Sequence, residues 1–259
     1  MLEILYQDEH CVAVNKPAGM LVHRSWLDKF ETEFVLQTLR DQLGRHVYPV
    51  HRLDRPTSGV LLFAFDSAAT RELSEQFDNQ RVQKTYWAVV RGYMQIDGEN
   101  QGKIDYALAP ILDKIANAPA LAALAQTGEQ KAKQEAVTKW QCLATTEQPF
   151  QARARYPTSR YSWVALSPTT GRKHQLRRHL KHVFHPIIGD TSYGDHHQNR
   201  AIREHLAIHR LMLHARSLSF YRLADSMPVT LTAPVDDDWA QMMTRFGWDI
   251  PSSISCNVR

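Results

Sequence analysis

Apolar and polar positions alternate near the start of the chain and settle into helical spacing further on. Residues 4 to 14 read as two short strands, Ile4 to Tyr6 and Cys11 to Val14, separated by the polar turn Gln7 to His10. Lys16-Pro17-Ala18-Gly19 then breaks the second strand. Leu36, Leu39 and Leu43 recur at i, i+3 and i+7, which predicts a helix from Val35 to Leu43. The continuous apolar run from Val60 to Phe65 predicts a buried strand. Asp66 or Ser67 is placed to cap a helix whose Ala69, Leu73 and Phe77 form one buried stripe. Thr85 to Val90 alternates again, with Tyr86, Ala88 and Val90 on one face of a strand and Trp87 and Val89 on the other.

The pattern lapses between about residues 95 and 135. That segment holds Gly98, Gly102, Pro110 and Pro119, an alanine-rich patch from Ala116 to Ala125 and the polar stretch Thr127 to Glu135. It predicts an insertion with a short helix and a mobile loop, solvated rather than held on RNA through Lys131 and Lys133. Strand character returns from Ala136 to Thr145 and from Tyr161 to Leu166, with Arg153, Arg155 and Arg160 on a hairpin or loop between them. Leu176, Leu180 and Val183 predict a helix after Gly171 that ends before Pro186. Residues 201 to 209 read as another helix, Leu211 to Leu218 and Val229 to Leu231 as strands, and Trp239 to Phe246 as a last helix. Many strands, short helices and no internal repeat point to the α+β class.

Composition narrows the picture less than charge distribution does. At 259 residues and 43% hydrophobic, the chain has enough apolar material for an ordinary globular core. Three scattered cysteines, Cys11, Cys142 and Cys256, suit reduced thiols in a cytoplasmic protein better than a disulfide frame. There is no signal-peptide pattern at the N-terminus and no apolar run of membrane-spanning length, so a soluble cytoplasmic protein is expected. The net charge is only +4, yet the segment Gln151 to Arg216 carries twelve Lys or Arg against Asp190, Asp195 and Glu204. That segment is therefore at +9 and the remainder at −5. A local excess of this size is what a polyanion footprint requires, although a solvated basic face has the same composition.

Two stretches carry candidate chemistry. His51-Arg52-Leu53-Asp54-Arg55-Pro56-Thr57-Ser58-Gly59 reads as a loop entering a buried strand. Its Asp54 lies between Arg52 and Arg55, and nearby positive charge favours the ionised carboxylate. Such a group can serve as a nucleophile or a base, or equally as one member of a structural ion-pair network. Thr170-Gly171-Arg172-Lys173-His174-Gln175-Leu176-Arg177-Arg178-His179-Leu180 opens on a glycine turn and leaves Arg172, Lys173 and Arg178 to face phosphate. His179, His182 and His185, or His205 and His209, have tempting metal spacings. Neither set carries the glutamate of a His-Glu-x-x-His motif or nearby cysteines, so no metal is expected. Ser58 lacks the G-x-S-x-G elbow, and no glycine loop that would cradle phosphate is present.

These two stretches, with Lys84-Thr85-Tyr86-Trp87-Ala88-Val89-Val90-Arg91-Gly92 between them, closely resemble the RluA-type RNA pseudouridine synthases. The shared pattern is an HRLD-x-x-TSG loop, a K-x-Y strand and a TGR-x-HQLR-x-HL segment, in that order. Asn15 to Gly19, His185 to Asp190, Tyr193-Gly194 and Arg210 to Ala215 add supporting matches. The likeness covers roughly residues 1 to 95 and 155 to 235. It implies a single catalytic domain over residues 1–259, without a separate N-terminal RNA-binding module. The expected architecture is a mixed, mostly antiparallel central sheet with flanking helices and a cleft across its middle.

The resemblance also implies roles. Asp54 would be the catalytic carboxylate, Arg177 its ion-pair partner, Tyr86 the residue that stacks on the target uracil and accepts or relays a proton, and Leu176 an apolar pocket wall. Arg52 would enter the stack vacated by the flipped base. Arg55, Lys16, Arg172, Lys173 and Arg178 would contact RNA. The reaction breaks the N1 to C1′ bond of a uridine and rejoins the base through C5, so every atom stays on the substrate and no cofactor is implied. Whether Asp54 attacks ribose, attacks the base or removes a proton at the 2′ carbon is left open. Within the family, Arg55-Pro56, Asp113-Lys114-Ile115-Ala116, the basic helix and Phe246-Gly247-Trp248 point to enzymes that modify uridine 65 in the T stem of tRNA. A ribosomal RNA site, or a non-catalytic RNA-binding or folding factor on the same fold, are the competing readings. No membrane and no obligatory protein partner are implied.

Overall fold

The apolar run from Val60 lacks a polar face because the sheet around it is covered on both sides. In the computed structural model, which describes residues 1–23, 32–96, 98–111 and 132–249, β1 (Glu3–Gln7) and β2 (Cys11–Lys16) form the predicted hairpin. β2 pairs antiparallel with β4 (Ser58–Ala64), and the short β3 (Tyr48–Pro49) pairs with the far end of β4. Side chains of β2 and β4 divide by parity. Val12, Val14, Leu61 and Phe63 pack with Val35 and Leu39 of α1 (Val35–Leu43). Cys11, Ala13, Val60, Leu62 and Ala64 pack with Ala69 and Leu73 of α2 (Ser67–Asp78). Strands buried on both faces need apolar residues throughout, hence a continuous run rather than an alternation. Asp66 caps α2, its carboxylate accepting from the Ala69 amide at 2.8 Å.

The remaining strands are β5 (Gln83–Arg91), β6 (Gln101–Asp105), β7 (Val137–Gln148), β8 (Ser159–Pro168), β9 (Leu213–Tyr221) and β10 (Pro228–Thr232). They extend the sheet in the order β1-β2-β4-β9-β5-β8-β7-β6, with β10 also on β9. Every ladder is antiparallel except β4 with β9, so the expected mixed, mostly antiparallel α+β sheet is what forms. α3 (Gln175–His182), α4 (His196–Leu206) and α5 (Asp237–Phe246) cover the second half. Leu176, Leu180, Ile202, Trp239 and Phe246 from these helices join Trp87, Val89, Trp163 and Val164 in one core. No described helix is long and apolar enough to cross a membrane.

Two expectations need correction. The segment expected as an insertion of helix and loop contains β6, which pairs with β7 from Gln101–Gln141 to Asp105–Val137. As an edge strand it buries only Ile104, so apolar periodicity gave no sign of it. Asp113 to Ala116, the rest of the alanine-rich patch and Lys131 lie outside the described residues, as do residues 250–259. The helix expected over 201 to 209 begins at His196 and ends at Leu206. Asp195 caps it, accepting from the His197 amide at 3.0 Å, and the first turn, His196-His197-Gln198-Asn199, is too polar to show in an apolar pattern.

The parallel contact between β4 and β9 is two residues wide, Ser58 opposite His214 and Gly59 opposite Ala215. At Gly59 the backbone has φ +112°, and a Cβ would fall 2.2 Å from the Ala215 carbonyl oxygen. Only glycine permits both the conformation and the approach. Gly59→Ala should therefore force the two strands apart and cost about 3 kcal/mol. Thermal unfolding of the two proteins checks this: a drop on the order of 10 °C is expected, and an unchanged midpoint would show that the seam tolerates a side chain.

Candidate active site

Asp54 ends up on the loop that leads into β4, beside the N-terminal half of α3. Its Oδ2 accepts from Arg177 Nη1 at 3.1 Å. Arg177 is itself pinned from the other side, because Nε donates to Asp190 Oδ2 at 2.7 Å and Nη2 to Asp190 Oδ1 at 2.9 Å. That bidentate fork matches the planar guanidinium to the planar carboxylate. Arg177 and Asp190 are buried, whereas the Asp54 side chain keeps about a quarter of its surface exposed. Asp190 Oδ1 also accepts from the Ser192 and Tyr193 amides, each at 2.9 Å. Burial alone would raise the Asp190 carboxyl, but the Arg177 and backbone hydrogen bonds outweigh it and hold it below the usual range. For Arg177 the two carboxylates likewise overcome burial and raise the guanidinium. One oxygen of Asp54 is thus anchored through Arg177 to the core, and the other lies 3.8 Å from His174 Nε2.

The cleft is lined by Arg52, Asp54, Tyr86, Leu176, Arg177 and Leu213, among others. Tyr86 reaches it from β5 at a register shift between Thr85 and Tyr86 in the β5–β9 ladder. Such an irregularity re-aims a side chain beside a site. Ala215 opposes both Tyr86 on β5 and Gly59 on β4, so the seam that needs Gly59 also sets Tyr86 across from the Asp54 loop. Burial, then the charge of Asp54, pushes the Tyr86 phenol well above its ordinary value, so it is a neutral hydroxyl at neutral pH. Leu176 is buried and forms part of the wall.

The cations expected to meet RNA divide into two groups. Arg52, Arg55, Arg172 and Lys173 are exposed, and Arg178 is half-buried. Arg55 Nε donates to the Gly19 carbonyl at 2.9 Å and Arg172 Nε to the Glu135 carbonyl at 3.0 Å, which orients both. Lys16 is different and corrects the expectation of an RNA contact. Its side chain is fully buried, and Nζ donates to the Pro17 carbonyl at 2.8 Å and the Arg55 carbonyl at 3.0 Å. Burial, then Arg210, pushes it down to about 7 against the pull of Asp54. Lys16 ties β2 to the catalytic loop from below.

Two neighbours of Asp54 escaped sequence reasoning. His174 Nε2 lies 3.8 Å from Asp54 Oδ1, and its Nδ1 is 3.0 Å from the Tyr193 hydroxyl. Burial lowers the His174 imidazole, with Asp54 pulling the other way. Its backbone is left-handed, φ +56°, at the residue before α3, where Ser, Thr, Asp or Asn is usual. That anomaly was legible only once the helix start was known. Asp190 had a signal in composition: it is one of only three acids in a segment with twelve cations. Asp195, another of the three, pairs with Arg91 and Arg153, at 2.7 and 3.0 Å. Of the histidines with metal-like spacing, His179 contacts Thr138 Oγ1 and the Tyr106 carbonyl, His182 stacks on Tyr106, His185 contacts the Arg91 carbonyl and His205 stacks on Phe150.

A mixed sheet with a carboxylate on the loop entering its parallel seam, paired to an arginine of an adjacent basic helix, invites comparison with RNA-modifying isomerases. Residues 10–182 match the model for RNA pseudouridylate synthase, and the chain belongs to that family. Its sequence is 57% identical over 251 residues to tRNA pseudouridine synthase C of Pasteurella multocida, covering 97% of this chain and 98% of that one. It is likewise 57% identical over 249 residues to tRNA pseudouridine synthase C of Haemophilus influenzae, with 96% and 99% covered. Among solved structures, human RNA pseudouridylate synthase domain containing 4 superposes with a TM-score of 0.68 at 25% identity, over 96% of this chain and 94% of that one. Human RNA pseudouridylate synthase domain containing 1, at 0.65 and 24% with 97% of each covered, shares the fold.

Two variants test the geometry. Asp190→Asn leaves Arg177 without its buried counter-charge and should lower stability by about 3 kcal/mol at pH 7. Because the folded-state value of Asp190 lies below its ordinary 3.8, its contribution is present above about pH 4 and is lost as the pH falls through the folded value. Urea midpoints of wild type and variant should therefore converge in acid; curves that stay parallel would remove the charge of Asp190 from the account. Lys16→Met should lower the melting temperature yet leave the salt dependence of RNA binding unchanged, since a buried ammonium displaces no counterion. A slope shallower by about one would return Lys16 to the RNA face.

Proposed function

We propose that this protein converts one uridine of tRNA, uridine 65 in the T stem, into pseudouridine, with Asp54 as the reacting carboxylate. The observation that carries the reading is the hold on Asp54: its Oδ2 accepts from the buried Arg177, and the residue lines a cleft together with Tyr86 and Leu176. A carboxylate oriented by a fixed guanidinium at the wall of a cleft is suited to act on a reactant entering it. The tRNA substrate is suggested by the names of the two relatives that match over almost their full length.

In this mechanism the target uridine leaves its helix, an unstacking that costs a few kcal/mol, and enters the cleft with Arg52 filling the gap behind it. Leu176 and Tyr86 sandwich the uracil by apolar and aromatic contact. Asp54 assists cleavage of the N1 to C1′ bond; the base turns so that C5 faces C1′, a C5 to C1′ bond forms, the C5 proton is lost, and N1 takes up a proton, so that the product is an isomer of the substrate. With the Tyr86 phenol raised, Tyr86 passes that proton on only by giving up its own, a relay rather than a resting base. His174, facing Asp54 Oδ1, is placed to steady the same oxygen. Arg172, Lys173 and Arg178 flank the cleft as phosphate contacts.

Carbodiimide-based mapping of pseudouridine in total tRNA and ribosomal RNA checks the reading, using cells without the protein and cells complemented with wild type or Asp54→Asn. One T-stem position should lose its signal and regain it only with wild type. In vitro, Asp54→Asn should slow product formation about a thousandfold or more. Loss of signal at a ribosomal site instead would reassign the substrate, and no change at any site would favour a non-catalytic RNA-binding role.

A further inference from the structure

We propose that the cavity beside the active-site cleft is a phosphate subsite, built on Lys84 with Arg172, that holds a backbone phosphate flanking the target uridine. This rests on the assignment of the protein to uridine isomerisation in RNA. The two cavities share a wall formed by Arg52, Lys84, Tyr86, Thr170, Gly171 and Arg172. The second is the wider, about 400 Å³ against about 120 Å³, which leaves room beyond the base for its ribose and phosphate. A flipped nucleotide stays covalently joined to the strand, so its backbone must leave the cleft over a wall of this kind.

Charge points the same way. Arg52, Lys84 and Arg172 all line the wider cavity, against the single carboxylate of Asp78. Among the described residues no carboxylate lies within ion-pair distance of Arg52 or Lys84. Lys84 is half-buried, its ammonium 6.0 Å from the Phe77 ring. Burial lowers it from its ordinary value, the mark of a cation desolvated without an anion to compensate it. The neighbouring His51 is neutral and so neither compensates Lys84 nor adds to its charge: burial, then Lys84, pushes it down to about 3, and its Nε2 accepts from the Leu62 amide at 3.1 Å. A phosphate oxygen would supply the missing partner. Because Lys84 and Tyr86 point from one strand to the shared wall, a phosphate on Lys84 would also set how deep the base sits against Tyr86.

The test uses the full chain and a T-stem hairpin RNA containing the target uridine, either intact or with one neutral methylphosphonate linkage on its 5′ or 3′ side. Single-turnover kcat/KM is measured for wild type, Lys84→Gln and Lys84→Arg. For one of the two linkages, neutralisation should slow wild type about tenfold or more and Lys84→Gln little further, with Lys84→Arg behaving like wild type. With intact RNA, the slope of log kcat/KM against log salt should be shallower by about 0.7 to 0.9 in Lys84→Gln, a change that a defect confined to the chemical step or to folding would not produce. Additive losses at both linkages with an unchanged slope would overturn the subsite while leaving the isomerase reading intact. No pseudouridine from wild type on any intact RNA would overturn both.

Discussion

The guanidinium of Arg177 is the joint on which the site depends. It binds Asp190 through two nitrogens and Asp54 through the third, and so connects the Asp54 loop to a helix and a turn more than a hundred residues later. Asp190 does not compete with Asp54 for this cation; it occupies the inner edge and fixes the direction in which the outer nitrogen points. A buried pair of this kind is a poor source of net stability but a strong source of orientation, because removing either partner strands a charge. The position of Asp190 is enforced in turn by backbone packing. At Gly189, φ is +78° and a Cβ would fall 1.8 Å from the Arg210 carbonyl oxygen, so the turn before Asp190 lies directly on the chain that leads into β9.

The sheet supplies the second coordinate. β9 is flanked by β5 along one edge and by β4, then β10, along the other. The two-residue contact at Ser58 and Gly59 marks where the loop carrying Asp54 meets the sheet. Beneath that loop runs a buried polar chain: Lys16 holds the carbonyls of Pro17 and Arg55, Arg210 donates to Ser58 Oγ at 2.7 Å, and Ser58 Oγ lies 2.8 Å from His214 Nδ1. Polar groups placed so deep are tolerable only because each has a partner. Their effect is to leave the carboxylate loop little freedom, which a reacting group needs more than the fold does.

Charge is arranged in layers around this frame. The acids of the basic segment that matter are the buried ones, Asp190 and Asp195, each holding arginines in place. Among the described residues Arg52 and Lys84 have no carboxylate partner, and both line the cleft, where an RNA strand would bring the compensating charge. A net charge of +4 therefore understates the local field, since inner pairs cancel and outer cations do not.

Most elements were legible in the chain because their signals are local. The period of Leu36, Leu39 and Leu43, the continuous run in β4 and the capping position of Asp66 each depend on near neighbours alone, and α1, β4 and α2 form where those signals place them. The motif order likewise singled out Asp54, Tyr86 and Arg177. β6 was hidden because an edge strand needs almost no apolar residues, and the start of α4 because its first turn is polar. Three matters were decided only in three dimensions: that Lys16 points inward, that Asp190 completes the Arg177 fork, and that His174 faces Asp54. Residue type states what a side chain can do, but direction and burial come from contacts between different segments, some more than a hundred residues apart, such as Asp54 and Arg177. Those contacts exist only after the sheet has brought β4, β9 and β5 together.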